Sequence, residues 1–183
     1  MKKIVALFSG EGTNLANIIE KIHNQHGIVV CAITNNPTAP GIAKAQNAHI
    51  HVEVLSHTAF ESRESYDAAL VALIQSYTPD LVVLCGFMRI LTPVFTTQIR
   101  SINLHPSLLP AFKGARAIER SFESDETLCG VSVHWVTDEL DGGEIILQKS
   151  FTKNIKDTLE DFSAKIRAIE HEILPQSIIK ILA

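Results

Sequence analysis

The 183-residue chain is expected to fold as a single α/β domain: a mostly parallel twisted sheet with helices on both faces, Rossmann-like, and an antiparallel C-terminal portion. Three observations carry that expectation. Short, wholly apolar runs such as Ile4–Phe8 and Leu81–Leu84 have the pattern of strands buried on both faces. Segments with apolar residues at helical spacing alternate with those runs, a βαβ grammar that implies right-handed crossovers. After about residue 100 the alternation gives way to two strand-like segments joined by a glycine-containing loop.

The first run, Ile4 to Phe8, stops at Ser9-Gly10, and Leu15, Ile18, Ile19 and Ile22 then recur at helical spacing. Ile28 to Ile33 is the second strand, closed by the turn residues Thr34-Asn35-Asn36-Pro37. A short helix over Ile42 to Ala48 and a strand over His51 to Leu55 come next. Ser62 to Ser76 is a helix with Tyr66, Ala69, Leu70 and Leu73 on one face, and Leu81 to Leu84 is another fully buried strand. Ser101 to Leu104 is a short strand, beyond which the prolines of His105-Pro106-Ser107-Leu108-Leu109-Pro110 exclude regular helix or a central strand. Arg116 to Glu123 is expected to be helical, and Val131 to Val136 and Glu144 to Phe151 to be strands joined through Asp141-Gly142-Gly143. Asp157 opens the last helix, with Glu160 three residues on as in a capping box. Its stripe is Leu159, Phe162, Ile166, Ile169 and Ile173, and Pro175 is expected to kink or restart it.

Sixteen Lys and Arg against 20 Asp and Glu leave a formal charge of −4, which argues against bulk binding to nucleic acid or an anionic membrane. No apolar run approaches the roughly 20 residues that span a bilayer. Lys2-Lys3 precedes only five apolar residues, Ile4 to Phe8; a signal core has about 7–15, so a cytoplasmic protein is expected. Cys31, Cys85 and Cys129 are odd in number, lack a CxxC and sit in apolar stretches, as reduced buried thiols do. No metal site is expected. His23, His26, His49, His51 and His57 lack ligand spacing and read as surface residues.

Three segments have the residue types of a reactive site. Ser9-Gly10-Glu11-Gly12-Thr13-Asn14 joins the first strand to the first helix, where free N–H groups and the helix dipole favour an anion. It lacks the third glycine of the dinucleotide fingerprint and the Gly-Lys-Ser/Thr of a P-loop, so a plain tight turn explains it equally well. Asn103 and His105 fall two apart at a strand end and therefore point to the same side. There an amide can donate to a developing oxyanion while an imidazole carries a proton. Asp141, ahead of two glycines, is the carboxylate best placed to orient or charge that histidine, whereas Asp138 and Glu139 read as a solvated turn. His134 shares a strand face with Ser132, which suits a structural role.

The combination Phe8-Ser9-Gly10-x-Gly12-x-Asn14, Gly86-Phe87-Met88-Arg89-Ile90-Leu91, Asn103-x-His105-Pro106-Ser107-Leu108-Leu109-Pro110 and His134-x-Val136-Thr137-x-Glu139-x-Asp141-Gly142-Gly143 resembles the phosphoribosylglycinamide formyltransferase family, folate-dependent enzymes of purine biosynthesis. The resemblance runs from the first strand to the last helix. It implies that Gly12, Thr13 and Asn14 hold the 5′-phosphate of glycinamide ribonucleotide, and that Glu170, with Arg167 near it, contacts the same substrate. Arg63, Met88, Arg89, Ile90 and Leu91, with Asn103, would contact 10-formyltetrahydrofolate, over whose pterin Thr137, Asp138, Glu139, Leu140 and Asp141 would close. Asn103, His105 and Asp141 match the catalytic trio, with Asp141 raising the His105 pKa to favour the imidazolium. The folate is a co-substrate, and no tightly bound cofactor or metal is implied.

Residues 1–100 would then form a phosphate-binding βαβ half and 101–183 a catalytic and folate-binding half. Both substrates are anionic, so Arg63 and Arg89 are expected to make a local positive field, while Lys113 and Arg116 read as ordinary surface charge. The chain departs from the family at Ala115-Arg116-Ala117-Ile118, where a histidine-containing run is common, and at Arg167, where glutamine is frequent. The superfamily also acts on initiator methionyl-tRNA and on amino-sugar nucleotides, and includes formyltetrahydrofolate hydrolases. The tRNA enzymes are expected to carry a further C-terminal domain and more positive charge, and the hydrolases an N-terminal regulatory domain. A non-catalytic nucleotide-binding module would have no need of the polar trio. Either a monomer or a homodimer is expected.

Overall fold

Strands that are apolar on both faces must be covered on both sides, and the computed structural model, which describes residues 1–183, supplies that cover. In chain order the elements are β1 (Lys3–Phe8), α1 (Thr13–Lys21), β2 (Ile28–Thr34), α2 (Gly41–Asn47), β3 (Val52–Val54), α3 (Arg63–Ser76), β4 (Leu81–Leu84), α4 (Pro93–Thr96), β5 (Ser101–His105), α5 (Ala117–Glu123), β6 (Leu128–Trp135), β7 (Ile145–Thr152) and α6 (Leu159–Leu182). One seven-stranded sheet has the order β3-β2-β1-β4-β5-β6-β7. Pairing is parallel from β3 through β5 and antiparallel for β5–β6 and β6–β7. It is the α/β architecture expected from the alternation of strands and helices.

Period-two alternation sorts the buried residues into two cores. Ile4, Ala6 and Phe8 of β1, with Leu81 and Val83 of β4, face the side packed by α1, α2 and α6. Val5, Leu7, Val82 and Leu84 face the other side, against Tyr66, Leu70 and Ile74 of α3 and Phe95 of α4. The same alternation continues into β5 and β6, where Ile102, Leu104, Val131 and Val133 stay in the first core. Their opposite face is polar instead: Asn103 is paired with His134, and His105 with Ser132. The sheet thus turns from an apolar to a polar face at β5, beyond the cover given by α3 and α4. All three cysteines are free and buried.

Three local expectations are corrected. The last helix is capped one residue later than Asp157 and Glu160 suggest: Thr158 accepts from the Asp161 N–H while the Asp161 side chain accepts from the Thr158 N–H. A hydroxyl at the N-cap reaches the third helical N–H just as the box requires, and Asp161 serves as well as the Glu. Pro175 does not restart the helix, which is continuous from Leu159 to Leu182. β6 begins at Leu128, three residues before the expected Val131, because the hairpin partner β7 continues to Thr152 and pairs with Leu128. No helix is long and apolar enough to cross a membrane.

Candidate active site

β1 leads to β2 and β3 on one side, and the chain then returns to place β4 on the other side of β1. Loops leaving β1 and β4 therefore diverge, opening the crevice in which α/β sheets bind ligands. Ser9 ties the two loops together. Its N–H donates to the Gly86 carbonyl (3.0 Å), its hydroxyl to Asn35 Oδ1 (2.5 Å), and its Oγ accepts the Met88 N–H (2.8 Å). Gly12 caps α1 in the left-handed region (φ 69°), and a Cβ there would lie 2.7 Å from the Gly41 Cα. Only glycine permits both the conformation and the approach of α2. A small hollow lined by Ser9, Gly10, Glu11, Gly12, Thr13 and Asn14 opens at this turn.

Beside it lies a cavity of about 430 Å³. Asn14 lines both spaces, joining them into one cleft. The larger space takes Met88, Arg89, Ile90 and Leu91 from the loop after β4, Asn103 and His105 from β5, His134 from β6, Thr137 to Asp141 from the β6–β7 loop, and Glu170 from α6. It thus draws on both halves of the chain.

Asn103, His105 and Asp141 meet there, and His134 joins them. His105 Nδ1 lies 3.4 Å from Asp141 Oδ2, and His105 Nε2 is 2.8 Å from the Phe112 carbonyl. That carbonyl can only accept, so in the neutral ring Nε2 bears the hydrogen and Nδ1 the lone pair. Asn103 Nδ2 is 3.3 Å from Asp141 Oδ1 and 3.3 Å from His134 Nε2, while His134 Nδ1 donates to the Trp135 carbonyl at 2.9 Å. Asp141 Oδ2 also accepts the Gly114 N–H at 2.8 Å. His105, His134 and Asp141 are all buried.

The loops hold this geometry through unusual backbone. Asp141 itself takes the left-handed conformation (φ 51°), as do Phe112 (φ 55°) and Arg116 (φ 56°). Gly143 is required for a close approach: a Cβ there would lie 1.8 Å from the Trp135 carbonyl oxygen. Arg120, which nothing in the sequence pattern singled out, braces the 112–115 segment by donating to the carbonyls of Phe112, Lys113 and Ala115. Ser132 Oγ donates to the Ser107 carbonyl and accepts the Leu109 N–H, which fixes the proline-rich turn after His105.

Electrostatics correct one expectation. Burial pushes the His105 pKa down, outweighing the hydrogen bond to Phe112 and the nearby charge of Asp141, both of which push it up. The net direction is below the ordinary histidine value, which favours the neutral imidazole at pH 7 over the imidazolium that the Asp141 charge alone implies. Burial also pushes the Asp141 carboxyl up, but contacts with His134 and with the Gly114 N–H prevail and hold it at about 2. Burial raises the Glu170 carboxyl; the Asn14 amide, donating to Oε2 at 3.1 Å, and the Arg167 charge partly offset it.

Some expected residues lie elsewhere. Arg63, at the start of α3, is exposed and does not line the cavity, and Arg167 is an exposed residue one turn from Glu170. Arg116, expected to be plain surface charge, lines the cavity, whereas Lys113 is paired with Glu139 at 2.7 Å. Arg89 lines the cavity with its guanidinium 4.5 Å above the Tyr66 ring. Asp138 and Glu139 are exposed, as a solvated turn requires, yet they stand on the cavity rim. His134 was legible as sharing the Ser132 face, but its place in the trio follows from its pairing opposite Asn103.

An imidazole, an amide and a carboxylate in a walled cleft are the equipment of an acyl-transfer enzyme. Residues 2–178 match the formyl transferase family. The phosphoribosylglycinamide formyltransferase of Escherichia coli (strain K12) is 43% identical over 176 residues, 94% of this chain and 83% of that one. The crystal structure of phosphoribosylglycinamide formyltransferase from Campylobacter jejuni superposes with a TM-score of 0.97 at 49% identity, covering 100% of this chain and 98% of that one. The trifunctional purine biosynthetic protein adenosine-3 of Bos taurus is 34% identical over 96% of this chain, which spans 18% of that protein. This chain belongs to the phosphoribosylglycinamide formyltransferases.

Proposed function

We propose that the chain transfers the formyl group of 10-formyltetrahydrofolate to the amine of glycinamide ribonucleotide, giving the N-formyl product and tetrahydrofolate for purine synthesis in the cytoplasm. The observation that carries this is the convergence of Asn103, His105 and Asp141 in one cavity joined through Asn14 to a glycine loop. A phosphate suits the Gly12-Thr13-Asn14 turn, with its free N–H groups and lack of side-chain bulk at Gly12. Glu170 holds the glycinamide side, with Arg167, exposed one turn away, adding charge from outside the cavity. The formyl donor takes the remainder, against Met88, Arg89, Ile90 and Leu91 and beneath Thr137 to Asp141, with Arg63 serving the outermost, charged part of the folate.

In the reaction the amine nitrogen bonds to the formyl carbon, the formyl oxygen gains negative charge, and the bond to folate N10 breaks. A proton must travel from the amine to N10. Neutral His105 supplies its vacant nitrogen Nδ1 as the base, and Asp141 stabilises the imidazolium that results. Asn103 supplies an N–H to the formyl oxygen. Its amide faces both Asp141 Oδ1 and His134 Nε2, so one of these contacts must be exchanged for the one to the formyl oxygen.

Formation of tetrahydrofolate by the purified protein, with and without glycinamide ribonucleotide, tests the assignment. Ribonucleotide-dependent turnover is expected. Equal turnover without the ribonucleotide would make the chain a hydrolase, and none in either case would overturn formyl transfer between these substrates.

A further inference from the structure

Pro175 has no N–H, so the carbonyl four residues earlier in α6, that of His171, lacks its usual helical donor. Two side chains of α1 take its place. Asn17 Nδ2 donates to the His171 carbonyl at 3.0 Å and Lys21 Nζ at 2.9 Å. Asn17 is 5% exposed, so its amide has little access to bulk water as an alternative partner. Asn14, three residues before Asn17 on the same face of α1, donates to Glu170, the neighbour of His171. Three polar contacts therefore run along one seam between α1 and α6, and its inner end is the Asn14–Glu170 pair in the cleft. The Oδ1 atom of Asn14 is buried with no protein donor, which leaves it as an acceptor for a ligand.

We propose that Asn17 and Lys21 are positioning residues for the ribonucleotide: by binding the carbonyl that Pro175 frees, they lock α1 to α6 and set Asn14 and Glu170 at the spacing that one substrate can bridge. The proline break is in this sense a docking point for the helix that starts at the phosphate turn. The inference rests on the formyl-transfer assignment above, because it names which of the two substrates feels the seam.

The test is a set of substitutions outside the cleft: Asn17→Leu, which keeps volume but removes the donor, Lys21→Met, which keeps the stem but removes the charge, and both together. The double variant is expected to raise KM for the ribonucleotide about tenfold, while KM for the formyl donor and kcat at saturation stay within about twofold of wild type. Adding Pro175→Ala to the double variant returns an N–H to the His171 carbonyl. Tm is then expected to recover while the ribonucleotide KM stays high, since the two helices are still unlinked. An unchanged ribonucleotide KM in the double variant, or recovery of both Tm and KM with Pro175→Ala, would overturn the proposal and leave the contacts a matter of stability alone. Should the double variant fail to fold, each single variant is expected to show a smaller rise confined to the same KM, and its absence would be equally decisive. Wild-type protein without ribonucleotide-dependent turnover would instead sink the functional assignment, a different result from wild-type turnover with unresponsive variants.

Discussion

Burial, rather than its carboxylate neighbour, sets the charge of His105. A base whose pKa is depressed loses activity as pH falls through that pKa, so kcat/KM should rise to a plateau with its midpoint below the ordinary histidine value of about 6.5. Asp141→Asn removes a charge that pushes His105 up and should move the midpoint still lower, while weakening the imidazolium that forms during turnover. A pH–rate profile of both proteins checks this; an upward shift in the variant would contradict it. Asp141 itself, held at about 2, stays ionised across that whole profile. Asn103→Ala, His105→Ala and Asp141→Ala are each expected to lower kcat/KM by about 10²–10⁴, as losing a proton carrier or an oxyanion donor does. Thermal melts should move far less than turnover, and a variant with near-wild-type turnover would remove that residue from the trio.

At the scale of the element, the helix ends divide into those that serve the site and those that serve only the fold. The capping box Thr158–Asp161 opens α6 about three turns before Glu170. Thr158→Ala should cost about 1 kcal/mol of stability, seen as a lower Tm, with kcat unchanged. Gly12 opens α1 inside the cleft, so Gly12→Ala should both destabilise, by about 1–3 kcal/mol for a strained φ, and weaken ribonucleotide binding. Measured KM values for the two substrates separate these cases. Between the elements, Asp67 of α3 is fully buried and accepts both the N–H and the hydroxyl of Thr92 (2.6 and 2.8 Å), anchoring the loop that carries Met88 to Leu91. Asp67→Asn weakens those charge-assisted bonds, each worth about 1.5–3 kcal/mol. It should raise KM for the formyl donor and leave that for the ribonucleotide near wild type.

At the scale of the whole molecule, the sheet does two jobs with one periodicity. Alternation along β1 and β4 builds two apolar cores, and the same alternation along β5 and β6 turns Asn103, His105 and His134 toward the cleft, with Ser132 on the same face holding the proline-rich turn. The order of strands places the Gly12 turn and the loop after β4 at one switch point, and Ser9 bolts them together. The continuous apolar runs, the glycine turn and the Asn103–His105 spacing were legible in the chain because each depends on neighbours a few residues apart. So was Asp141 as the partner carboxylate, though the reason differs: Asp141 adopts the strained turn itself, and the glycines after it allow Trp135 to come close. Only the tertiary structure decided that burial pushes the His105 pKa down, that Arg116 lines the cavity while Arg63 and Arg167 do not, and that Asn17 and Lys21 are the donors to the His171 carbonyl. Propensity, period and turn chemistry are written in consecutive residues. Burial, charge state and the partner of a freed carbonyl are sums over groups brought together from distant parts of the chain, such as Asn17 and His171, 154 residues apart.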